Sequence, residues 1–261
     1  MGLSITTRDG FPDFSNLPWN LHLPEWQAVY SQIEKLPQGP SRHPVIFVNI
    51  SGTIYALKEM PGGIAEKEYH LLRRIDELRP PAVTPVGFVA IDSPNDRRSF
   101  LITRYLDYSI PFRNLFIGNR LVRYREHLLD AIAGLMVQLH LADIYWGDCS
   151  LSNCLFRRDA GALRAYLVDA ETAEIFPEDI SPVLRHHDLE IMEENINGEL
   201  ADLTTDSHLA TDIPYSDTGA YIRLRYQRLW EVITREDIIE PLEHYRIQER
   251  IRALNDLGFS V

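Results

Sequence analysis

Cysteine is scarce in this chain of 261 residues, with two in all. Cys149 and Cys154 sit five positions apart and frame no disulfide scaffold, so a reducing, cytoplasmic setting is expected. No apolar run reaches the roughly 18 residues that a membrane-spanning helix needs. The opening residues, Met1-Gly2-Leu3-Ser4-Ile5-Thr6, lack the basic and apolar regions of a signal peptide. They fit the loose N-myristoylation pattern, but no polybasic partner follows to make such an anchor hold. Positive charge is also short: 26 Lys and Arg against 38 Asp and Glu give a net charge of −12. That balance argues against an extended nucleic-acid surface. The local cluster Arg120, Arg123 and Arg125 reads as a solvated helix face. Internal repeats and low-complexity segments are missing too.

What is present is an ordinary globular composition, 45% hydrophobic and 25% charged, long enough to bury a sizeable core as one domain or two lobes. Residues 1–23, rich in Pro, Gly, Asn and Asp, read as an irregular arm. Pro24 then opens a helical pattern with Trp26, Val29, Tyr30, Ile33 and Leu36 on one stripe. From Pro44 the period changes to two. The runs 45–50 and 53–60 join at Ser51-Gly52, a hairpin signal. Pro61-Gly62-Gly63 breaks the strand, residues 65–78 form a helix with Tyr69, Leu72 and Ile75 on one face, and Pro80-Pro81 ends it. Strands are expected over 83–91 and 99–105. Beyond Asp107 the pattern turns helical, over 121–141, 187–200, 218–233 and 242–257, the last closed by Gly258. Two short apolar runs, 154–156 and 165–168, interrupt it. The layout is therefore an arm and helix over 1–43, a β-rich half over 44–107 and a helical half over 108–261.

Several polar residues recur at meaningful places. Lys58 ends a strand in Tyr-Ala-Leu-Lys, and Glu68 follows ten residues later on a helix. After a long gap come Gly147-Asp148 and, five residues on, Asn153; Asp169 closes the next apolar strand. Singly these read as a surface lysine, a helix acid, turn formers and a cap. Their joint order is harder to reduce to local roles. Glu66, two residues from Glu68, points to another side of the helix and ranks second. Cys149, Cys154, His186 and His187 do not make a zinc pattern, since no second paired cluster exists and adjacent histidines diverge on a helix. His140, closing an apolar stretch, reads as a packed core histidine.

The stretch from His140 to Phe156 resembles the catalytic loop of kinase-like phosphotransferases, most closely the bacterial lipopolysaccharide-kinase type, L-H-x-x-G-x-x-H-G-D-x-x-x-x-N. The chain is also similar to an uncharacterised actinobacterial family with these motifs. The resemblance runs from Val45 to about Leu200. It implies an α+β, protein-kinase-like fold with two lobes, and ATP-dependent phosphoryl transfer to a hydroxyl of an unidentified substrate. In that scheme Lys58 grips the α- and β-phosphates, Glu68 fixes its reach, and Asp148 orients or deprotonates the acceptor. Asn153 and Asp169 hold Mg²⁺. Arg104, Tyr105 and Leu106 form the hinge for adenine with Thr103 nearby, and Asp188 caps the catalytic-loop backbone.

The pattern also departs from the family. There is no Gly-rich phosphate loop, and Gly39-Pro40 is a poor substitute. Trp146 stands where histidine is common, removing a hydrogen-bonding group and adding bulk. The metal-binding segment reads Asp169-Ala170-Glu171, where Glu171 either adds a carboxylate to the metal or pairs with a cation. Three activities stay open: a phosphotransferase, a nucleotide-binding pseudokinase, and nucleotidyl transfer in the same cleft.

Overall fold

The computed structural model describes residues 2–37, 41–93, 96–112, 125–159, 162–205, 217–236 and 245–256. Its first half is built on a six-stranded antiparallel sheet of order β1-β5-β6-β4-β3-β2. The strands are β1 (Gly2–Thr7), β2 (Ile33–Glu34), β3 (Val45–Ile50), β4 (Thr53–Pro61), β5 (Pro85–Ser93) and β6 (Asp96–Arg104). Ser51 and Gly52, both at positive φ (54° and 85°), close the β3–β4 hairpin in the two-residue turn whose twist matches the strands.

Helix α1 (Ile64–Leu78) crosses one face of the sheet and buries Ala65, Glu68, Tyr69, Leu72 and Ile75. It ends at Arg79, left-handed at φ 72°, just before Pro80-Pro81. The other face is covered by the N-terminal segment, which the sequence presents as an irregular arm. That expectation is corrected. Residues 2–7 pair with β5 from Gly2↔Asp92 to Thr7↔Gly87. Gly87 is required there, because a Cβ would lie 2.2 Å from the Thr6 carbonyl.

The expected helix from Pro24 is likewise a single 3-10 segment, Leu23–Ala28, followed by β2; Val29 points to solvent. Phe14, Leu17, Trp19, Leu23 and Trp26 pack on Ile46, Val48, Leu57, Phe100 and Ile102. Trp19 meets Trp26 and Phe100 at ring-centroid distances of 5.2 and 5.1 Å. Glu59 of β4 accepts the Leu23 amide at 2.8 Å, and Arg98 of β6 donates to the Asn20 carbonyl at 2.9 Å. Aromatic packing and these two polar ties, not helical periodicity, fix the arm.

The second half is mainly helical: α2 (Arg125–Leu141), α3 (Pro182–Thr205), α4 (Thr218–Thr234) and α5 (Tyr245–Asp256). Residues 121–124, the basic positions Arg120 and Arg123, and Gly258 lie outside the described residues. Between α2 and α3 run the β9 (Cys154–Asp159) and β10 (Ala162–Leu167) hairpin, with β7 (Ile110–Pro111) beside β9, and the short pair β8 (Ile144–Tyr145) and β11 (Glu174–Ile175). Leu128, Ile132, Leu135 and Leu139 of α2 are buried in a core that continues to Tyr69, Leu72 and Leu101 of the first half. No described helix is long and apolar enough to cross a membrane.

Candidate functional site

A cavity of about 720 Å³ lies between the two halves, lined by β3 and β4, the Thr103–Leu106 segment, Asp148, residues 150–155 and Val168-Asp169. The register of the sheet sets its inner wall. Lys58 pairs across from Leu101 on β6, and its side chain reaches α1, where Nζ lies 3.1 Å from Glu68 Oε2. The same ammonium meets Asp169 Oδ2 at 2.7 Å and Glu171 Oε2 at 4.0 Å. Glu68 is 1% exposed at its side chain and also accepts the Ala170 amide at 3.1 Å. Glu66, one turn-face away, is exposed.

Burial drives the Glu68 carboxyl up to about 7, an effect that Lys58 opposes and Asp169 reinforces. Asp169 goes the other way. Burial alone would raise it, but Lys58 and the Glu171 amide hold it below its ordinary range. For Lys58, burial would favour the neutral amine, yet Glu68 and Asp169 outweigh it and raise its pKa.

Across the cleft, Asp148 is clamped on both oxygens. Asn153 Nδ2 donates to Oδ2 at 3.1 Å and to the Asp148 carbonyl at 3.0 Å, while Asn195 Nδ2 donates to Oδ1 at 3.1 Å. Gly147 precedes it at φ 75°, where a Cβ would meet the Tyr145 ring at 2.9 Å and the Thr172 carbonyl at 3.1 Å. Asp188 on α3, fully buried, accepts the Trp146 and Gly147 amides at 2.8 Å each and meets His140 Nε2 at 3.0 Å. His140 in turn bonds the Tyr226 hydroxyl of α4 at 2.7 Å. The backbone around the loop aspartate is thus tied to three helices.

Trp146 corrects the expectation of a lost hydrogen-bonding group. Its indole N–H donates to the Asp169 carbonyl at 3.0 Å, joining the two acidic segments directly.

The expected hinge lines the cavity, but two of its amides are engaged: Arg104 N with the Thr84 carbonyl and Tyr105 N with the Ile54 carbonyl, each at 2.9 Å. That leaves the Leu106 amide among the described groups to meet a base. Of the cysteine and histidine cluster, both thiols are buried, and burial pushes Cys149 well up. His187 Nδ1 and the Tyr145 hydroxyl are 2.8 Å apart, and His186 lies 3.2 Å from Glu190.

Sequence reading passed over four residues. Asn195 and Glu199 lie on α3, and Glu199 accepts the Leu151 and Ser152 amides at 2.6 and 3.2 Å. Arg42 and His43 precede β3 and reach Asp148 and Glu171. None belongs to a spacing motif; only contact across more than forty residues brings each into place.

A divalent ion has a fitting donor set here. Asn153 spends its amide N–H on Asp148, which leaves its carbonyl oxygen as a hard ligand, and the Asp169 carboxylate is partly open to the cleft. Among the described residues no three His, Cys, Asp or Glu side chains converge on one point. Mg²⁺ is usually held by one or two carboxylates together with substrate phosphates.

The lipopolysaccharide kinase (Kdo/WaaP) family model matches residues 48–208, and a domain of unknown function (DUF4032) matches residues 228–261. No curated protein matches the sequence. A solved structure of WaaP in complex with acyl carrier protein is similar at TM-score 0.52 and 18% identity, covering 97% of this chain and 94% of that one. An aminoglycoside-3'-phosphotransferase of type VIII aligns at TM-score 0.53 and 15% identity, over 90% and 97% of the two chains. At these identities the likeness is one of fold, and the fold is protein-kinase-like.

Proposed function

We propose that this chain, which belongs to the lipopolysaccharide kinase (Kdo/WaaP) family, is an ATP-dependent phosphotransferase acting on a hydroxyl group. The observation that carries the proposal is the position of Lys58. Its ammonium joins Glu68 and Asp169 at the back of the cleft whose facing wall presents Asp148 and Asn153. Phosphoryl transfer asks for positioning and charge neutralisation more than covalent help, and this set supplies both.

In this reading residues 44–107 act as the small lobe, 108–261 as the large one, and the 1–43 segment braces the small lobe's sheet. Adenine lies against Thr103 and the Leu106 amide, and Lys58 grips α- and β-phosphate oxygens while Glu68 fixes its reach. The acceptor oxygen attacks the γ-phosphorus, the bond to the β-phosphate oxygen breaks, and the hydroxyl proton passes to Asp148. Asp169 and Asn153 would hold Mg²⁺, which when bound neutralises charge on the phosphate oxygens. Two buried free thiols fit a reducing, cytoplasmic site of action.

The pseudokinase reading loses one of its supports, because Trp146 keeps a hydrogen bond to the Asp169 segment. The test is transfer from Mg²⁺·ATP, followed by ADP release and by the mass of any adduct. Asp148→Asn is expected to lower turnover by roughly 10²–10⁴-fold while nucleotide still raises the melting temperature. Turnover at the wild-type rate in that variant would remove Asp148 from its role, and an adduct carrying a nucleotidyl group would replace phosphoryl transfer with nucleotidyl transfer.

A further inference from the structure

A cleft meant for a triphosphate carries four carboxylates in its lining, Asp148, Asp169, Glu199 and Asp202. Lys58 is already shared between two carboxylates. The connection from β2 to β3, where backbone amides would ordinarily meet phosphate, ends in Ser41-Arg42-His43-Pro44, and Pro44 has no amide proton to give.

Side chains from this connection cross the cleft. Arg42 Nη2 donates to Asp148 Oδ2 at 3.1 Å, and His43 Nε2 lies 3.2 Å from Glu171 Oε2. Arg42 also sits close enough to Asp169 to add to the pull of Lys58 on that carboxyl. Its guanidinium therefore stands at the loop aspartate, beside the cleft where the transferred phosphoryl group must pass. The Arg42 side chain is 74% exposed, so its charge is available to an incoming ligand.

The same contact covers the Asp148 carboxylate. With Asn195 on Oδ1 and both Asn153 and Arg42 on Oδ2, its carboxylate receives three N–H donors. Arg42 thereby covers Oδ2 from the side of the β2–β3 connection.

We propose that Arg42 is the γ-phosphate ligand of this site and that, on binding a nucleoside triphosphate, it exchanges the Asp148 carboxylate for γ-phosphate oxygens. The exchange uncovers Asp148 Oδ2 for the acceptor hydroxyl. A planar guanidinium matches phosphate in a two-pronged geometry that an ammonium cannot reproduce. His43, through Glu171, keeps the connection over the cleft. The proposal rests on the phosphotransferase reading and adds a specific consequence: Arg42 separates triphosphates from diphosphates.

The experiment is calorimetric titration of Mg²⁺·AMP-PNP (a non-hydrolysable ATP analogue) and Mg²⁺·ADP into wild type, Arg42→Ala and Arg42→Lys. Wild type should prefer the triphosphate. Arg42→Ala should weaken AMP-PNP by about 10–100-fold, the range for a charge-assisted hydrogen bond, and leave ADP unchanged, with Arg42→Lys in between. An unchanged AMP-PNP to ADP ratio in Arg42→Ala, whether both ligands bind as before or both weaken together, overturns the role of Arg42 and leaves the phosphotransferase reading standing. Wild type that binds neither nucleotide overturns that reading, and the role of Arg42 with it.

Discussion

The two walls of the cleft are held in opposite ways. The catalytic-loop wall is tied from beneath: Asp188 takes the Trp146 and Gly147 amides, Glu199 takes those of Leu151 and Ser152, and Asn153 and Asn195 grip Asp148. The facing wall, before β3, reaches across through Arg42 and His43 alone among the described residues. The difference teaches which side has to move. A group that receives charge or a proton works best when fixed before the reaction, because no reorganisation is then needed at that moment. A group that grips phosphate has to change partners as nucleotide enters and product leaves.

The sharpest way to break the comparison is on the fixed wall. Asp148→Asn should cost roughly 10²–10⁴-fold in turnover with little change in melting temperature, as read by parallel kinetics and calorimetry. Next in size is Asp188→Ala, which strands the buried Trp146 amide, the partly buried Gly147 amide and His140 at once. At about 1–3 kcal/mol for each unsatisfied group, urea unfolding should show a loss of several kcal/mol, with activity falling alongside.

The Lys58 cluster offers a test by pH. Asp169 is lowered, so its contribution is present above its ordinary value of 3.8 and lost as pH falls below it. Glu68 is raised from 4.5 to about 7, so between those values the folded chain holds the proton more tightly than the unfolded one. Stability from Glu68 therefore falls as pH rises through that window, and the cluster is most favourable near the lower end. Glu68→Gln should flatten the decline in unfolding free energy measured from pH 4.5 to 7. The smallest effect belongs to the wall before β3: Arg42→Ala breaks an exposed pair and should move unfolding free energy by no more than about 0.5 kcal/mol, even as the preference for triphosphate disappears.

Much of this was legible in the sequence. The β3–β4 hairpin and α1 follow from period, turn residues and proline stops, all of which are local. The five polar groups Lys58, Glu68, Asp148, Asn153 and Asp169 were found by order along the chain, and the fold brings them to one cleft. The arm was misread because its order comes from Trp19, Leu23 and Trp26 packing on a sheet face that no periodicity within the arm reveals. Trp146 looked like a loss until its indole was seen to reach the Asp169 carbonyl, 23 positions away.

By itself, then, the sequence determined the main elements beyond the arm and the list of candidate polar groups, since strand and helix periods, turns and motif spacing act over a few residues. Tertiary structure alone decided that the sheet is covered on both faces, that Asn195 and Glu199 support the catalytic loop, and that Arg42 stands at Asp148. Those contacts join residues 46 to 106 positions apart. Only the burial of both sheet faces and the packing of α3 under the loop bring such partners within hydrogen-bonding distance.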